Sequence, residues 1–158
     1  MVHAELGRVM ALDVGGKRIG VALSDPTRIL ASPLITIHAL PRQRALHQIA
    51  SLINLHEAVE LVVGMPLTMA GEHGEQAKLI SAFVEDLRGV VIVPIHTFDE
   101  RLTSVAAERM MIDLGMRPEQ RKAKIDEVAA SIILQDFLDS RRTVPPPRNW
   151  DAEDDDDR

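Results

Sequence analysis

The chain has 158 residues, about the length of one globular domain. Its composition, 46% hydrophobic and 27% charged, is that of an ordinary soluble protein, and the absence of cysteine excludes disulfide scaffolds, Cys-rich zinc sites and thiol nucleophiles. No apolar run approaches a membrane-spanning length, and the N-terminal MVHAELGRVM lacks the layout of a signal peptide. We therefore expect no membrane segment and a reducing, cytoplasmic location.

The net charge of −6 is concentrated at one end of the chain. Residues 151–158 (DAEDDDDR) hold six acids and one arginine, and the rest of the chain has 17 basic against 18 acidic residues. A nearly neutral body does not exclude a nucleic-acid partner. We expect residues 1–142 to form the folded domain and residues 143–158, proline-rich and then acidic, to be a disordered tail.

The first part of the chain predicts three strands on short turns, which is typical of an antiparallel meander. The expected strands are 8–14, 18–24 and 29–37, separated by turns at Gly15-Gly16-Lys17 and Asp25-Pro26-Thr27. Pro33 cannot donate a ladder hydrogen bond, so the third strand is expected at an edge of the sheet.

The second part alternates helical periodicity with short apolar runs. We predict helices over 41–57, 75–87, 104–114 and 118–140, and strands over 60–64 and 90–95. Strands separated by helices should be parallel, with right-handed crossovers. The expected architecture is therefore an α/β fold with a mixed five-stranded sheet covered by helices.

Three acidic positions are unusual in this pattern. Asp13 lies inside an apolar strand and on the same face as Val9 and Ala11, where an unpaired carboxylate is costly. Asp99 and Glu100 follow the predicted strand 90–95, where ligands gather in α/β sheets. Asp126 shares a helical stripe with Ala130, Ile133 and Phe137, which should face the sheet.

Each acid also has a structural interpretation. Asp13 could close the hairpin through an Asx turn, Asp99 and Glu100 could pair with Arg101 or cap a helix, and Asp126 could be an acid favoured by the helix dipole. Together, however, the carboxylates could converge on one point, where they would repel one another unless a cation neutralised them. Hard oxygen ligands suit Mg²⁺ or Mn²⁺, so the combination predicts metal-assisted phosphoryl chemistry.

Four segments of the chain resemble the YqgF (RuvX) family of pre-16S ribosomal RNA nucleases, also described as Holliday junction resolvases. The resemblance runs from about residue 8 to 140 and is carried by residues 13–22 (DVGGKRIGVA), 63–67 (VGMPL), 99–104 (DERLTS) and 126–135 (DEVAASIILQ). It implies a ribonuclease H-like fold and assigns Asp13, Glu100 and Asp126 as the catalytic, metal-binding acids. Asp99 is the alternative to Glu100. The chain departs from the family pattern at Thr68 and Ala70, which weakens any role for those side chains.

Basic residues near the three acids are expected to hold the phosphates of the substrate. Lys17 and Arg18 follow Asp13, and Arg101 follows Glu100. A basic patch formed by Arg117, Arg121, Lys122 and Lys124 precedes Asp126. The alternative for each of these charges is simple solvation.

The leading functional hypothesis is a metal-dependent nuclease that acts on structured RNA and processes the 5′ end of pre-16S ribosomal RNA. One alternative is a Holliday junction resolvase, which would need a homodimer to cut two DNA strands. Another is a non-catalytic nucleic-acid-binding factor with the same fold. An actin-like ATPase also opens with Asp-x-Gly, but it would normally need two such domains, so 158 residues are too few.

Overall fold

The computed structural model describes residues 7–66, 74–100 and 103–142, with the side chains of residues 100 and 103–105 outside that description. Its strands are β1 (Arg8–Val14), β2 (Arg18–Ser24), β3 (Ala31–His38), β4 (Ala58–Pro66) and β5 (Ile95–Glu100). Its helices are α1 (Arg42–His56), α2 (Glu75–Arg88), α3 (Thr103–Asp113) and α4 (Pro118–Arg141). The expected element order is confirmed, whereas the expected tail, 143–158, lies outside the described residues.

The strands form one five-stranded sheet in the order β3-β2-β1-β4-β5. The first three strands are antiparallel neighbours, and β4 lies parallel to both β1 and β5. The mixed sheet is therefore confirmed. β3 is an edge strand, and its ladder with β2 shifts register where Pro33 pairs with Ala22, as a residue without an N–H requires.

The predicted strand at 90–95 is wrong. Val90 and Val91 donate their backbone N–H groups to the carbonyl of Leu87, so this apolar segment finishes the end of α2 instead of entering the sheet. β5 begins only at Ile95, and Asp99 and Glu100 are its last two residues, not a loop after it. The prediction rested on apolar character alone, and it was wrong because Val90 and Val91 are partly buried against the core without belonging to the sheet.

The alternation of β1 divides the core into two layers. Met10, Leu12 and Val14 pack against the layer that contains α1 and α2. Val9 and Ala11 pack on the opposite face, against α4. Asp13 continues this second set, so the strand pattern directs it toward α4.

Helix α4 lies across β1, β2 and β3, and α3 packs on α4. Ala107 and Met111 of α3 are fully buried in a small cluster with Val128 and Ala129 of α4. None of the helices in the described ranges is long and apolar enough to cross a bilayer. The long helix α4 thus covers one face of the sheet, mainly over β1, β2 and β3.

Candidate active site

Asp13 is the penultimate residue of β1 and pairs with Gly20 of β2. Burial, together with the negative charge of Asp126, raises the pKa of Asp13 from 3.8 to about 6. Among the described residues no group donates a hydrogen bond to its carboxylate, and the hairpin closes through the N–H of Gly15 and the carbonyl of Arg18, 2.8 Å apart. Asp13 is therefore a partly buried acid in an unfavourable electrostatic environment and not the acceptor of an Asx turn.

Gly20 lets the backbone of α4 at Asp126 approach the strand partner of Asp13 closely. A Cβ atom at Gly20 would lie 1.9 Å from the backbone carbonyl oxygen of Asp126, so only glycine admits α4 at this distance from the sheet. The strand partner of Asp13 is thus the point where α4, at Asp126, touches the sheet. The stripe predicted for α4 is confirmed, because Ala130, Ile133 and Phe137 are all buried.

Arg18 lies at the start of β2 and reaches the same point. Its Nε atom donates to Oδ2 of Asp126 at 2.6 Å. This hydrogen bond and the negative charge of Asp126 raise the pKa of Arg18 above its ordinary value. The sequence placed Arg18 near Asp13 as a phosphate contact, but it gave no sign of the ion pair with Asp126.

Glu100 ends β5, where its backbone pairs with Pro66 of β4. Because β1, β4 and β5 are parallel, their carboxyl ends lie at the same edge of the sheet as Asp13. Residues two apart in a strand lie on the same face of the sheet, so position 100 of β5 lies on the face of Phe98, which packs against the α4 layer. Asp99 has the opposite parity and is exposed.

The donor chemistry of this edge suits a hard divalent cation. Asp13 and Asp126 supply carboxylate oxygens, and among the described residues the one arginine that bonds to this pair, Arg18, bonds to Asp126 and not to Asp13. Among the side chains that the structure describes, no set of three acidic, histidine or cysteine residues lies close enough to hold a metal. Two of the three predicted ligands are thus brought together, while the side chain of Glu100 is outside that description.

The predicted substrate contacts fall into three groups. Lys17, Lys122 and Lys124 are exposed. Arg121 is instead tied to the structure, since its Nη1 donates to the carbonyl of Met116 at 2.9 Å and its Nε is buried without a partner among the described residues. Arg101 lies outside the described residues.

A second polar cluster, at the far end of α4, was missed by sequence reasoning. Glu60 at the start of β4 accepts from Arg141 Nη1 at 2.7 Å, contacts His96 Nε2 at 2.8 Å and pairs with Arg28 Nη1 at 2.9 Å. Burial by itself raises the pKa of Glu60, but the bonds from Arg141 and His96 and the charge of Arg28 lower it below its ordinary value. These four residues come from distant parts of the sequence, and no local pattern connects them.

Comparison with known proteins agrees with the family that the sequence motifs indicate. The model of the RuvX family, described as "Holliday junction resolvase", matches residues 7–140. A protein of Roseiflexus sp. (strain RS-1) named "Putative pre-16S rRNA nuclease" is 66% identical over 141 residues, covering 89% of this chain and all of the relative. Proteins of the same name from Chloroflexus aurantiacus and Mycobacterium leprae are 53% and 42% identical, covering 87% and 91% of this chain and 90% and 79% of the relatives.

Solved structures agree on the fold. The fowlpox virus Holliday junction resolvase superimposes with a TM-score of 0.53 at 14% identity, covering 84% of this chain and 99% of that chain. T. thermophilus RuvC in complex with a Holliday junction substrate gives a TM-score of 0.50 at 15% identity, covering 85% of this chain and 94% of that chain. At such low identity the likeness concerns architecture alone, and it confirms the expected ribonuclease H-like fold.

Proposed function

This chain belongs to the RuvX family, and on that premise we propose that it is a metal-dependent nuclease that processes the 5′ end of pre-16S ribosomal RNA. The observation that carries the proposal is the pair of carboxylates, Asp13 and Asp126, held together at the carboxyl edge of the parallel strands with the pKa of Asp13 raised to about 6. An under-neutralised acidic pair at this place in the fold is typical of a site that holds a cation. The names of the relatives supply the substrate.

Asp13, Glu100 and Asp126 would together hold Mg²⁺ or Mn²⁺. A bound divalent ion activates water for attack on a phosphodiester and stabilises the leaving oxygen. Glu100 is preferred to Asp99 because its position in β5 has the parity of the α4 face. The role of the chain is to fix the acids, since Gly20 lets α4 place Asp126 beside β1.

The basic residues would position the substrate. Lys17, in the turn after β1, and Lys122 and Lys124, on α4, are exposed charges that are suited to phosphate contacts. Arg18 and Arg101 would hold phosphates next to the metal ligands. Arg121 would act mainly by holding the turn before α4, because its guanidinium is engaged with Met116. A nuclease of ribosomal RNA would work in the cytoplasm, which agrees with the absence of cysteine.

The test is a cleavage assay with wild type and two variants. We expect the protein to cut precursor 16S RNA in Mg²⁺ or Mn²⁺ and not in chelator, and Asp126→Asn to lose this activity. Asp136→Asn is the matched control, because Asp136 is an exposed acid further along the same helix. Equal cleavage by wild type and Asp126→Asn, or cleavage in chelator, would contradict the proposal. Binding of RNA without any metal-dependent cutting would indicate a non-catalytic factor.

A Holliday junction resolvase is the second candidate, favoured by the description of the matching family model. Cutting two strands of a junction symmetrically needs two active sites, and therefore a homodimer. A four-way DNA junction in the same assay, with the mass of the complex measured in solution, separates the two functions. Preferred symmetric cutting of the junction by a dimer would replace RNA processing as the conclusion.

A further inference from the structure

Arg18 bonds to a carboxylate oxygen of Asp126, one of the predicted metal ligands. Its Nε lies 2.6 Å from Oδ2 of Asp126, while the Asp13 carboxylate has no hydrogen-bond donor among the described residues. The pair is asymmetric in exposure, since the side chain of Arg18 is 51% exposed and that of Asp126 is 20% exposed. The arginine is therefore the partner that can leave.

The backbone allows Arg18 to exchange partners without disturbing the sheet. Arg18 is held in place by its strand pairing with His38 and by the hydrogen bond from Gly15 to its carbonyl. None of these contacts involves the guanidinium group. The side chain can swing away from Asp126 while β2 and the hairpin keep their conformation.

Charge balance favours such an exchange. Among the described side chains, one guanidinium beside the carboxylates of Asp13 and Asp126 leaves a net negative charge, and a guanidinium and a divalent cation beside the same carboxylate would repel each other. A divalent cation held by Asp13 and Asp126 would change the net charge of these groups from negative to positive. The surplus positive charge of Arg18 would then need an anion, and the phosphate of a nucleic acid is the anion that the proposed function brings to this site.

We propose that Arg18 is an exchangeable counter-ion: a divalent metal displaces it from Asp126, and the released guanidinium binds a phosphate of the nucleic acid next to the metal. The inference rests on the proposed function for the identity of the metal and the polyanion. It makes Arg18 a positioning residue that couples the two binding events. By thermodynamic linkage, metal must then raise affinity for nucleic acid by the same factor as nucleic acid raises affinity for metal.

The first experiment measures Mn²⁺ affinity of the full chain without nucleic acid, for wild type, Arg18→Gln and Lys17→Gln. Lys17 is the matched control, because it is an exposed cation one residue away in the same hairpin and it makes no side-chain bond among the described residues. We expect Arg18→Gln to bind Mn²⁺ about two- to fivefold more tightly, as suits the removal of a competing, partly exposed ion pair. Lys17→Gln should change affinity less.

Two further variants distinguish the exchange from a general disturbance of the site. Arg18→Lys keeps the charge and should bind Mn²⁺ close to the wild-type affinity, which also shows that the position tolerates substitution. Asp13→Asn should lose Mn²⁺ binding. If Asp13→Asn binds Mn²⁺ normally, the proposed metal site is wrong. If Asp13→Asn loses Mn²⁺ binding as expected but Arg18→Gln binds Mn²⁺ no more tightly than wild type, only the exchange is overturned.

The second experiment measures affinity for one RNA, with and without Ca²⁺, which is a flexible oxygen-binding cation. Without metal, Arg18 is engaged by Asp126, so Arg18→Gln should bind the RNA within about twofold of wild type. With Ca²⁺, Arg18→Gln should bind more weakly, and its slope of log K against log salt should fall by roughly 0.7–0.9, the value for one phosphate that the protein no longer neutralises. An equal reduction of affinity with and without Ca²⁺ would overturn the exchange, because Arg18 would then bind phosphate independently of metal.

Discussion

The two ends of α4 present opposite solutions to the same electrostatic problem. About two turns into the helix, Asp126 bonds to Arg18, whereas Asp13 has no hydrogen-bond donor among the described residues and its pKa is raised to about 6. At its end, the single acid Glu60 is surrounded by Arg28, Arg141 and His96, and its pKa is lowered. The two clusters are separated by about 22 Å along the helix, the rise between Asp126 and Arg141.

The difference indicates which end is built for stability and which for chemistry. The side chain of Glu60 is only 12% exposed and its carboxylate is bonded to Arg141, Arg28 and His96, so its ion pair with Arg141 holds α4 against β4. Asp13 and Asp126 carry more negative charge than the described side chains around them neutralise, which weakens the metal-free fold but attracts a cation. One helix thus carries a structural clamp and a candidate site, and substitutions at its two ends should have opposite consequences.

The largest contrast is expected in catalysis. Asp13→Asn should reduce RNA cleavage by more than the roughly 10–100-fold typical of losing a residue that only supports a metal ligand. Glu60→Gln should leave turnover nearly unchanged, because the clamp lies at the far end of α4. Steady-state cleavage by both folded variants checks this, and a large reduction in Glu60→Gln with Asp13→Asn active would reverse the assignment of the two ends.

The pH dependence of stability should also have opposite signs at the two ends. The raised pKa of Asp13 means that its protonated form stabilises the fold; this contribution is complete below about pH 4 and is lost as the pH rises through about 6. In chelator, Asp13→Asn should therefore gain stability over wild type across this interval, by up to about 3 kcal/mol.

For Glu60 the sign is reversed. Its lowered pKa means that the ionised form stabilises the fold, and this contribution is present above its ordinary value of 4.5 and is lost as the pH falls through the lower folded value. Glu60→Gln should be less stable than wild type at neutral pH, by about 1–3 kcal/mol, and the gap should close in acid. Urea unfolding from pH 3 to 8 measures both profiles, and parallel profiles for the two variants would contradict the contrast.

Gly20 tests how the start of α4 is positioned. Gly20→Ala forces a Cβ onto the carbonyl of Asp126 and should cost about 1–3 kcal/mol or more, as overpacking against backbone does. It should also lower cleavage, because Asp126 moves. Gly16→Ala is the control, since a Cβ at Gly16 meets no atom within 4 Å. Thermal unfolding of the pair measures the effect, and equal stability would show that α4 adjusts freely.

The smallest effect is expected from the exposed charges before Asp126. Replacing Lys122 and Lys124 with Gln should leave turnover at saturating RNA unchanged and lower the slope of log K against log salt by up to roughly 0.7–0.9 for each phosphate no longer neutralised. Arg44→Gln with Lys78→Gln is the control, because these exposed cations lie on α1 and α2, on the other face of the sheet. The same slope in both double variants would leave Lys122 and Lys124 as solvated charges.

The sequence by itself determined the order of the elements and the candidate acids. Alternation in β1 identified the face of Asp13, and helical periodicity identified the buried stripe below Asp126, because both patterns are local and repeat within one element. The motifs also indicated the family and the fold. The strand predicted at residues 90–95 was wrong, because Val90 and Val91 are partly buried at the end of α2 and do not belong to the sheet.

Only the tertiary structure decided what these residues do to one another. The contact of Gly20 with the backbone of Asp126, the ion pair from Arg18 to Asp126 and the cluster around Glu60 join positions 106, 108 and up to 81 residues apart. Such contacts leave no periodic signal, because they depend on how closely α4 approaches the sheet. The raised pKa of Asp13 has the same origin, since burial and the charge of Asp126 exist only when the chain is folded.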